Sequence, residues 1–563
     1  MTTPAPSYDH GGCAAPLIGE TIGVHFDRTV ARWGDALGLV SRQQGVRWTW
    51  RELGEKADAF AAGLLSLGLE PGDRVGIWSP NNAEWVVTQF ATAKAGLILV
   101  NINPAYRLSE LEYALNKVGC KALVTATRFK TSDYIGMVNT LAPELARARP
   151  GHLDLARLPH LKTVIQIGEA APGTIPFDAV HSMGGEAERA RLAGLKGTLQ
   201  FDDAINIQFT SGTTGLPKGA TLTHHNILNN GFFIGEIMHY TEQDKVCLPV
   251  PLYHCFGMVI GCMACLTHGA AIVLPGEGFD PLVTLQTVHE ERCTSLYGVP
   301  TMFIAELDHP EFRSFDLSSL RTGMMAGAPC PIEVMRRCIR DMHLTEMTIG
   351  YGMTETSPVS TQTLIGDTLE KQTTTVGRVH PHVEVKIIDT EGRIVARGTA
   401  GEFCTRGYSV MLGYWDDEER TAQAIDRNGW MHTGDLATMD DEGYCNIVGR
   451  IKDMVIRGGE NIYPREIEEF LYRHPAIQDV QVFGVPDQRF GEELCAWVKL
   501  RAGQNATADD IKAFCKDQIA HYKVPRYIKF VDEFPMTVTG KMQKFIMRET
   551  MSQELGLTAA KTA

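Results

Sequence analysis

Apolar residues in the first hundred positions alternate between helical and strand-like spacing. Thr49 and Glu52 have the spacing of a capping box, and the apolar residues between 53 and 64 recur on one helical face. The pattern that follows predicts a strand over 75–78, a helix over 84–95 and a strand over 96–100. Short turns rich in Gly, Pro and Asn separate these segments. Such alternation is typical of a parallel α/β sheet that is covered by helices on both faces.

A different pattern begins near residue 380 and again after Arg450. Positions in 384–388 and 402–406 alternate like strands of a smaller sheet. Beyond Arg450 the pattern predicts a helix over 464–472, strands over 480–485 and 494–500, and a helix over 507–520 with Thr507 as its N-cap. The predicted parts are a loose segment over 1–24, a large domain over 25–450, a small α+β domain over 451–550 and a tail over 551–563. The region 147–197 has a weak pattern and is predicted to form surface loops.

One long apolar segment raises the question of a membrane span. Residues 246–276 include no Asp, Glu, Lys or Arg, and this length exceeds what a spanning helix requires. Pro249, Pro251 and Pro275 interrupt the segment, as do several glycines. We therefore expect a buried strand, helix and strand here rather than a membrane span.

Composition and charge restrict the partners and the compartment. The chain of 563 residues has 53 Lys and Arg against 67 Asp and Glu, which gives a net charge of −14. This balance argues against nucleic acid as a partner, because nucleic-acid binding needs a basic surface. The thirteen cysteines lack the spacing of a disulfide framework, and the first twenty residues lack the apolar core of a signal peptide. These features predict a soluble protein of the reducing cytoplasm.

The strongest chemical signal is a loop that follows the apolar residues 205–209. Its hydroxyls, glycines and single lysine, Lys218, suit a phosphate, because consecutive backbone N–H groups near glycines form an anion-binding nest. It is not a Walker loop, since Lys218 is followed by Gly219. The loop comprises Thr210, Ser211, Gly212, Thr213, Thr214, Gly215, Leu216, Pro217, Lys218 and Gly219.

This loop resembles the phosphate-binding loop of the adenylate-forming superfamily, which includes acyl-CoA synthetases, luciferases and peptide-synthetase adenylation domains. Further blocks of that superfamily follow in order, at 351–356, 432–436 with 449–450, 458–461 and 539–541. The resemblance covers residues 25–550. The segments 351–358 and 251–254 are most similar to fatty-acyl-CoA synthetases. The resemblance implies a large N-terminal domain with a barrel-like subdomain, and a small mobile C-terminal domain.

The resemblance also implies an ATP site. Lys541 would reach in from the C-terminal domain and supply positive charge at the reacting oxygens, as a catalytic residue. Glu355 would hold Mg²⁺, with Thr213 as a second contact. Asp435 would accept both ribose hydroxyls, and Arg450 would add a donor to the same sugar. The other implied ATP-binding residues are Thr210, Ser211, Gly212, Thr214, Gly215, Lys218, Gly327, Ala328, Pro329, Gly350, Tyr351, Gly352, Met353 and Thr354.

For a second half-reaction, the resemblance implies that the C-terminal domain rotates and admits the thiol of coenzyme A. Lys452 matches the hinge position. A glycine pair would pass close to the pantetheine arm of CoA, with a left-handed turn as the alternative explanation. Arg489 and Lys523 are predicted to contact the phosphates of CoA, but they could equally be solvated surface charges. The predicted CoA-binding residues are Gly458, Gly459, Glu460, Arg489 and Lys523.

The predicted acyl pocket is centred on His254, which matches the residue that closes this pocket in the family and is predicted to be catalytic. A buried core histidine is the alternative. Gly257, Gly261 and Ala326 complete the predicted pocket, because small residues leave a groove for an alkyl chain. Each buried methylene contributes about 0.8 kcal/mol to binding.

The same region holds a possible metal-ligand spacing in Cys262 and Cys265, near His254, Cys255 and His268. No second cysteine pair follows and the flanking residues are apolar. We therefore expect buried thiols that behave as small apolar side chains.

Together these residues predict an enzyme that converts a fatty acid, ATP and CoA into acyl-CoA, AMP and pyrophosphate through an acyl-adenylate, with Mg²⁺ as cofactor. Three alternatives remain: an aryl or cinnamate-type CoA ligase, an adenylation unit that loads a carrier protein, and a catalytically silent lipid- or nucleotide-binding protein. The presence of Lys218, Glu355, Asp435 and Lys541 together argues against the last. The sequence leaves the oligomeric state open, with a homodimer as one alternative.

Overall fold

Two large sheets form the body of the protein in the computed structural model, which describes residues 5–210, 217–457, 460–516, 518–537 and 540–557. The eight-stranded sheet has the order Ile175–Pro176, Thr163–Gln166, Ala122–Thr125, Arg74–Trp78, Ile98–Asn101, Ala204–Thr210, Lys218–Thr223 and Gly413–Tyr414. The nine-stranded sheet has the order Arg378–Val379, Val359–Gln362, Glu346–Gly352, Thr322–Ala326, Ser295–Gly298, Lys245–Cys247, Ala271–Leu274, Leu37–Ser41 and Val46–Thr49. The central strands of both sheets are parallel, which confirms the predicted α/β class.

Helices alternate with these strands, and the predicted capping box opens the helix Trp50–Ser66. Thr49 Oγ1 accepts a hydrogen bond from Glu52 N at 3.2 Å, and the Glu52 carboxylate accepts from Thr49 N at 2.8 Å. The longer helices of this part are Ile22–Trp33, Trp50–Ser66, Ala83–Ala95, Leu108–Lys117, Tyr134–Leu141, Glu186–Leu195, His224–Ile237, Pro281–Glu291, Pro300–Leu307 and Ile332–Asp341. Shorter helices are Phe177–Val180, Ala264–His268, Leu369–Thr374 and Glu418–Ala424.

The charge-free segment 246–276 folds as the predicted buried strand, helix and strand. It contains the strand that ends at Cys247, the π-helix Phe256–Met263, the helix Ala264–His268 and the strand Ala271–Leu274. All residues of the π-helix are buried in the protein core. Across the described ranges, every helix is too short or too polar to cross a membrane.

Two predictions about loose segments are wrong. Thr163–Gln166 is a fully buried strand that pairs with Ala122–Thr125, and Glu186–Leu195 is a helix, so 147–197 is not only surface loop. Near the N-terminus, Tyr8–His10 pairs antiparallel with 384–386. Strands of three or four residues are too short to show a period, and their partners lie far away in sequence.

The chain changes sheet between Arg450 and Val455. A five-stranded sheet forms the predicted barrel-like part, with the order Tyr8–His10, Val383–Ile388, Gly401–Gly407, Met431–Met439 and Cys445–Arg450. The next sheet belongs to a small C-terminal domain, and its strands are Glu460–Ile462, Val455–Arg457, Gly491–Leu500, Ile477–Asp487 and Tyr527–Phe530. The helices of this domain are Pro464–Leu471, Ala508–Cys515 and Lys544–Glu554. Thr507 caps Ala508–Cys515 as predicted, because its hydroxyl accepts from Asp510 N.

Candidate active site

Two neighbouring parallel strands end together at the centre of the site. Thr322–Ala326 and Glu346–Gly352 are paired so that Ala326 lies beside Gly350. Gly327 and Tyr351, which follow these two positions, therefore lie at the same edge of the sheet. Gly327 has a φ of +85°, a left-handed conformation that favours glycine. Ligands of open α/β sheets bind beyond the carboxyl ends of the strands, so this edge suits the predicted adenine contacts.

Asp435 lies at this edge and is held by two neighbouring side chains. Tyr351 Oη donates to Asp435 Oδ2 at 2.7 Å, and Arg450 Nε lies 3.1 Å from Oδ1. Burial raises the pKa of Asp435, and the Arg450 guanidinium and the Tyr351 hydroxyl partly oppose that shift. Each carboxylate oxygen keeps a second lone pair, so Asp435 can also accept from two sugar hydroxyls.

The turn before Asp435 is fixed by Glu402. Glu402 Oε1 accepts from Gly434 N at 3.1 Å, and Glu402 Oε2 lies 3.0 Å from His432 Nδ1. Cys404 Sγ lies 3.6 Å from the same imidazole nitrogen. Because one carboxylate contacts both ends of this turn, it restrains the direction in which Asp435 points.

Glu355 lies in the short 3₁₀ turn Thr354–Thr356 and is buried. Its Oε1 accepts from Tyr414 Oη at 2.8 Å and from Thr210 Oγ1 at 3.2 Å. Lys218 Nζ donates to the same Tyr414 hydroxyl at 2.9 Å. The structure thus brings the two ends of the predicted phosphate loop, Thr210 and Lys218, to the predicted metal ligand.

The centre of the phosphate loop and the glycine pair of the C-terminal domain lie outside the residues that the structure describes. Thr210 and Lys218 are directly paired across the hairpin that carries the loop. The predicted residues that lie outside the described residues are Ser211, Gly212, Thr213, Thr214, Gly215, Gly458 and Gly459. Their predicted roles stay predictions.

The C-terminal domain reaches the site through Gly540 and Lys541. A Cβ atom on Gly540 would lie 2.8 Å from Val299 Cγ2 of the large domain, and Gly540 has a φ of +77°. Glycine therefore permits a close approach of the two domains directly before Lys541.

Lys541 lies among the side chains of the large domain. Burial lowers the pKa of Lys541 below its usual value, and Arg450 adds to this effect, whereas Cys255, Glu355 and Asp435 oppose it. One cation from the small domain thus shares an electrostatic environment with the predicted metal ligand and the predicted ribose ligand.

Other contacts between the two domains include polar ones, among them an ion pair of Arg501 with Asp308. Gln478 Nε2 donates to Asp308 Oδ2 at 3.0 Å, and Ile332 N donates to Glu469 Oε2 at 3.4 Å. A cavity of about 600 Å³ lies along this boundary, which we call the seam cavity. It is lined from both domains by residues that include Pro251, Tyr253, Thr301, Phe534, Met536 and Gly540.

His254 lies next to this cavity in a tight turn. Its Nδ1 accepts from Phe256 N at 3.1 Å, which assigns the ring proton to Nε2. Burial, and then the charge of Lys541, lower the pKa of His254 to about 3. The imidazole is therefore neutral near pH 7 and offers an N–H donor.

The prediction that Gly257 and Gly261 leave an open groove beside His254 is wrong. A Cβ on Gly257 would lie 2.5 Å from Pro251 O, and a Cβ on Gly261 would lie 2.6 Å from Leu248 Cδ1. The space in front of each glycine is already filled, so these glycines allow close packing of the π-helix and do not line an open groove. Ala326 is buried at the end of its strand.

The cysteines of this region belong to the apolar core. Cys262 and Cys265 are fully buried in the largest apolar cluster, and His268 Nε2 lies 3.0 Å from Glu236 Oε1. All thirteen cysteines lie within the described ranges and are unpaired, and Cys13 is exposed.

The predicted CoA residues are spread over the small domain. Arg489 is exposed beside Phe490, Lys523 Nζ pairs with Glu466 at 2.6 Å, and Glu460 is exposed. Neither basic residue lines the seam cavity. Lys452 lies in the 3₁₀ turn Ile451–Asp453, between the last strand of the large domain and the first strand of the small one.

One residue of this site was not identified from the sequence, namely Tyr414, which contacts both Lys218 and Glu355. Its only local signal is an aromatic residue after Gly413, and such pairs are common in turns and short strands. The partners of Tyr414 lie 59 and 196 positions away, so spacing along the chain does not reveal them.

Comparisons with known proteins agree with this architecture. The AMP-binding enzyme family matches residues 26–415, and the AMP-binding enzyme C-terminal domain matches 466–541. The chain is 49% identical to a Danio rerio protein named medium-chain acyl-CoA ligase ACSF2, mitochondrial, over 99% of this chain and 92% of that protein. It is 48% identical to the putative acyl-CoA synthetase YngI of Bacillus subtilis, over 97% of this chain and all of that protein.

A solved structure shares the fold over nearly the whole chain. The anthranilate CoA ligase AuaEII, in complex with anthranoyl-AMP, has a TM-score of 0.84 and 26% identity, and the match covers 96% of this chain and 99% of that one. These findings confirm the prediction of an AMP-forming acid–CoA ligase of the fatty-acyl-CoA synthetase type. The chain belongs to the AMP-binding enzyme family.

Proposed function

We propose that this protein uses ATP to activate a medium-chain fatty acid and transfers the acyl group to coenzyme A, with release of AMP and pyrophosphate. The carrying observation is that Lys541 of the small domain is partly buried near Glu355 and Asp435 of the large domain, whose charges act on its ammonium group. The names of the relatives support a medium-chain acid as the substrate.

In the first half-reaction, a carboxylate oxygen of the acid forms a bond to the α-phosphorus of ATP, and the bond from that phosphorus to the leaving pyrophosphate breaks. Two anions approach each other in this step, so the barrier depends on positive charge at the reacting oxygens. Lys541 provides this charge. The negative charges of Glu355 and Asp435 favour the charged form of Lys541, whereas burial disfavours it.

The large domain binds and orients the nucleotide. Asp435 accepts from the ribose hydroxyls while Tyr351 and Arg450 hold its carboxylate in place. Thr210 and Lys218 flank the phosphate loop and supply a hydroxyl and a cation to the phosphates.

The donor set around Glu355 fits Mg²⁺, a hard cation that prefers carboxylate oxygens. Within the described residues, Thr210 and Tyr414 both donate to Oε1 of Glu355, and no side chain donates to its Oε2. Glu355 would hold the ion, which would neutralise phosphate charge when bound. Thr210 and Lys218, which are paired across one hairpin, orient the phosphates beside Glu355.

In the second half-reaction, the CoA thiol loses its proton to solvent and its sulfur forms a bond to the acyl carbonyl carbon. The bond from that carbon to the phosphate oxygen breaks, and AMP leaves with the electron pair. Lys541 must leave the site to admit the thiol, which requires the small domain to rotate at Lys452. The seam cavity between the domains supports such a movement. His254 acts in the first half-reaction instead. Its neutral imidazole donates a hydrogen bond from Nε2 to the substrate carboxylate and adds no charge there.

We place this reaction in the cytoplasm, since thirteen unpaired cysteines suit a reducing compartment. The substrate proposal is tested by AMP release from the purified protein with acids from acetate to palmitate and with benzoate and cinnamate, each with and without CoA. We expect the highest kcat/KM with octanoate or decanoate and a strict need for CoA in multiple turnovers. A higher kcat/KM with benzoate or cinnamate would contradict the fatty-acid substrate. Multiple turnovers without CoA would contradict CoA as the acceptor.

A further inference from the structure

A single hydroxyl connects a cation and a carboxylate at the nucleotide site. Lys218 Nζ donates to Tyr414 Oη at 2.9 Å, and Tyr414 Oη donates to Glu355 Oε1 at 2.8 Å. We propose that Tyr414 is a positioning residue that orients Glu355 toward Mg²⁺ and Lys218 toward the nucleotide phosphates. This inference rests on the proposed function, because that function assigns the metal to Glu355.

The direction of both hydrogen bonds follows from the chemistry of the three groups. An ammonium group only donates and a carboxylate only accepts, so the hydroxyl must accept from Lys218 and donate to Glu355. A phenolic O–H group accepts and donates at the same time, so one hydroxyl satisfies both neighbours.

The backbone around Tyr414 is tied to both of its partners. Tyr414 pairs with Ala220 in the strand that begins at Lys218, and Trp415 N donates to Gly219 O at 2.7 Å. Met411 N donates to the backbone oxygen of Glu355 at 3.0 Å. The segment 411–415 thus fixes the strand of the lysine and the turn of the carboxylate in one arrangement, with the hydroxyl between their side chains.

A phenylalanine at this position separates the role of the hydroxyl from that of the ring. In the Tyr414→Phe variant the ring keeps its contact with Lys218, whose Nζ lies 4.2 Å from the ring centroid. The variant loses the hydrogen bonds of the hydroxyl to Lys218 and to Glu355. Within the described residues, Glu355 Oε1 then keeps the hydrogen bond from Thr210. Loss of a partner that orients a metal ligand typically weakens metal binding or activity by about 10- to 100-fold.

The test measures metal binding as well as activity. The full-length protein with ATP is titrated with Mn²⁺ and followed by electron paramagnetic resonance, and the Mg²⁺ concentration for half-maximal ATP–pyrophosphate exchange is measured in parallel. We expect the Tyr414→Phe variant to need about tenfold more of either ion, with excess Mg²⁺ restoring most of the exchange rate. A role in stability alone would not be rescued by the ion.

A matched control is the Tyr408→Phe variant. Tyr408 is half-buried, its hydroxyl accepts from Asn230 Nδ2 at 3.3 Å, and this contact lies outside the hydrogen-bond chain of Tyr414. The control also removes one tyrosine hydroxyl that makes an internal hydrogen bond, and we expect the Mn²⁺ and Mg²⁺ dependence of the wild-type protein.

A double variant tests whether Tyr414 acts through Glu355, and the thermal unfolding midpoint of each variant shows whether it is folded. In a Glu355→Gln background, where the carboxylate is already lost, adding Tyr414→Phe should change the Mn²⁺ affinity less than about twofold, because coupled residues are non-additive. Wild-type ion dependence of Tyr414→Phe, or full additivity with Glu355→Gln, would overturn the inference and leave the proposed function intact. Absence of exchange by the wild-type protein with every acid would instead overturn the proposed function, and the Mn²⁺ titration would still decide the role of Tyr414.

Discussion

The two halves of the candidate site are built in different ways. In the large domain, Asp435 and Glu355 are each held by two neighbouring side chains from other parts of the fold. In the small domain, Lys541 follows a glycine at the domain boundary that lines the seam cavity. The difference suggests a division of work in which the fixed half binds the nucleotide and the movable half determines when the reacting oxygens receive positive charge.

The most direct way to break this division is to remove the movable cation. In the Lys541→Ala variant we expect adenylation to fall by at least about 10²- to 10³-fold, the typical cost of losing one group that stabilises transition-state charge. Thioester formation from supplied acyl-adenylate should stay near the wild-type rate, because in the proposed mechanism Lys541 leaves the site before that step. Pyrophosphate exchange and acyl-CoA formation measure the two steps separately. Equal losses in both would contradict the division.

The fixed half is tested at Asp435. We expect the Asp435→Asn variant to bind ATP about 10- to 100-fold more weakly, since charge-assisted hydrogen bonds contribute about 1.5–3 kcal/mol each. The KM for the acid should change much less. Isothermal titration with ATP and with AMP gives the affinities. An unchanged ATP affinity together with a raised KM for the acid would remove Asp435 from the nucleotide site.

The two domains should also respond to acid in opposite directions. Burial lowers the pKa values of His224, His254 and His380 in the large domain to about 3, against 6.5 for exposed histidine. The unfolded state therefore binds more protons between pH 6.5 and 3, and each histidine decreases the free energy of unfolding by up to about 1.4 kcal/mol per pH unit as the pH falls.

In the small domain, burial raises the pKa of Asp479 to about 6, against 3.8 when exposed. Here the folded state binds more protons, so the stability that Asp479 contributes is present below pH 3.8 and is lost as the pH rises to 6. Hydrogen exchange by mass spectrometry between pH 4 and 6.5, corrected for intrinsic rates, would report the two domains separately. Parallel pH trends in both domains would contradict these assignments, and the Asp479→Asn variant should remove the trend of the small domain.

The predicted hinge residue Lys452 lies in the turn that connects the two domains. We expect a smaller effect on the reaction rate from a substitution there. In the Lys452→Pro variant the fixed φ of proline restrains the turn Ile451–Asp453. We expect the second half-reaction to slow by about tenfold and the first by less than about twofold, because only the second requires the movement. Single-turnover kinetics from preformed acyl-adenylate measures this ratio. An unchanged second step would move the hinge elsewhere.

The smallest effect is expected at His254. The His254→Ala variant should alter the ratio of kcat/KM values between octanoate and benzoate by roughly 3- to 10-fold and leave the affinity for ATP unchanged, since small pocket changes typically have effects of this size. Because the pKa of His254 is about 3, its titration should leave no inflection in the pH profile of kcat/KM between pH 5 and 8. A change in ATP affinity without a change in acid preference would take His254 out of the acyl pocket.

Local chemistry explains which features the sequence predicts. The capping box at Thr49 and the N-cap at Thr507 depend on residues within one helical turn, and both are present. The parallel α/β pattern is equally local, because short apolar runs mark the buried strands and a helical period marks the helices between them. The predicted ligands Glu355, Asp435 and Lys541 come from short motifs whose order along the chain is diagnostic, and the structure brings them together.

Features that depend on distant partners were missed. Tyr414 acts between residues 59 and 196 positions away, and the strand Thr163–Gln166 is recognisable only beside its neighbour. The two glycines of the π-helix suggest an open groove in sequence, whereas Pro251 and Leu248 fill that space in the fold. Packing between segments, rather than the identity of one residue, decides these cases.

Isotope exchange between labelled pyrophosphate and ATP tests the central claim most directly, because it requires only the first half-reaction and no CoA. With purified protein, Mg²⁺ and octanoate, the account predicts exchange that depends on the acid and disappears in the Lys541→Ala variant. Exchange at the wild-type rate in that variant, or none in the wild-type protein with any fatty acid, would contradict it.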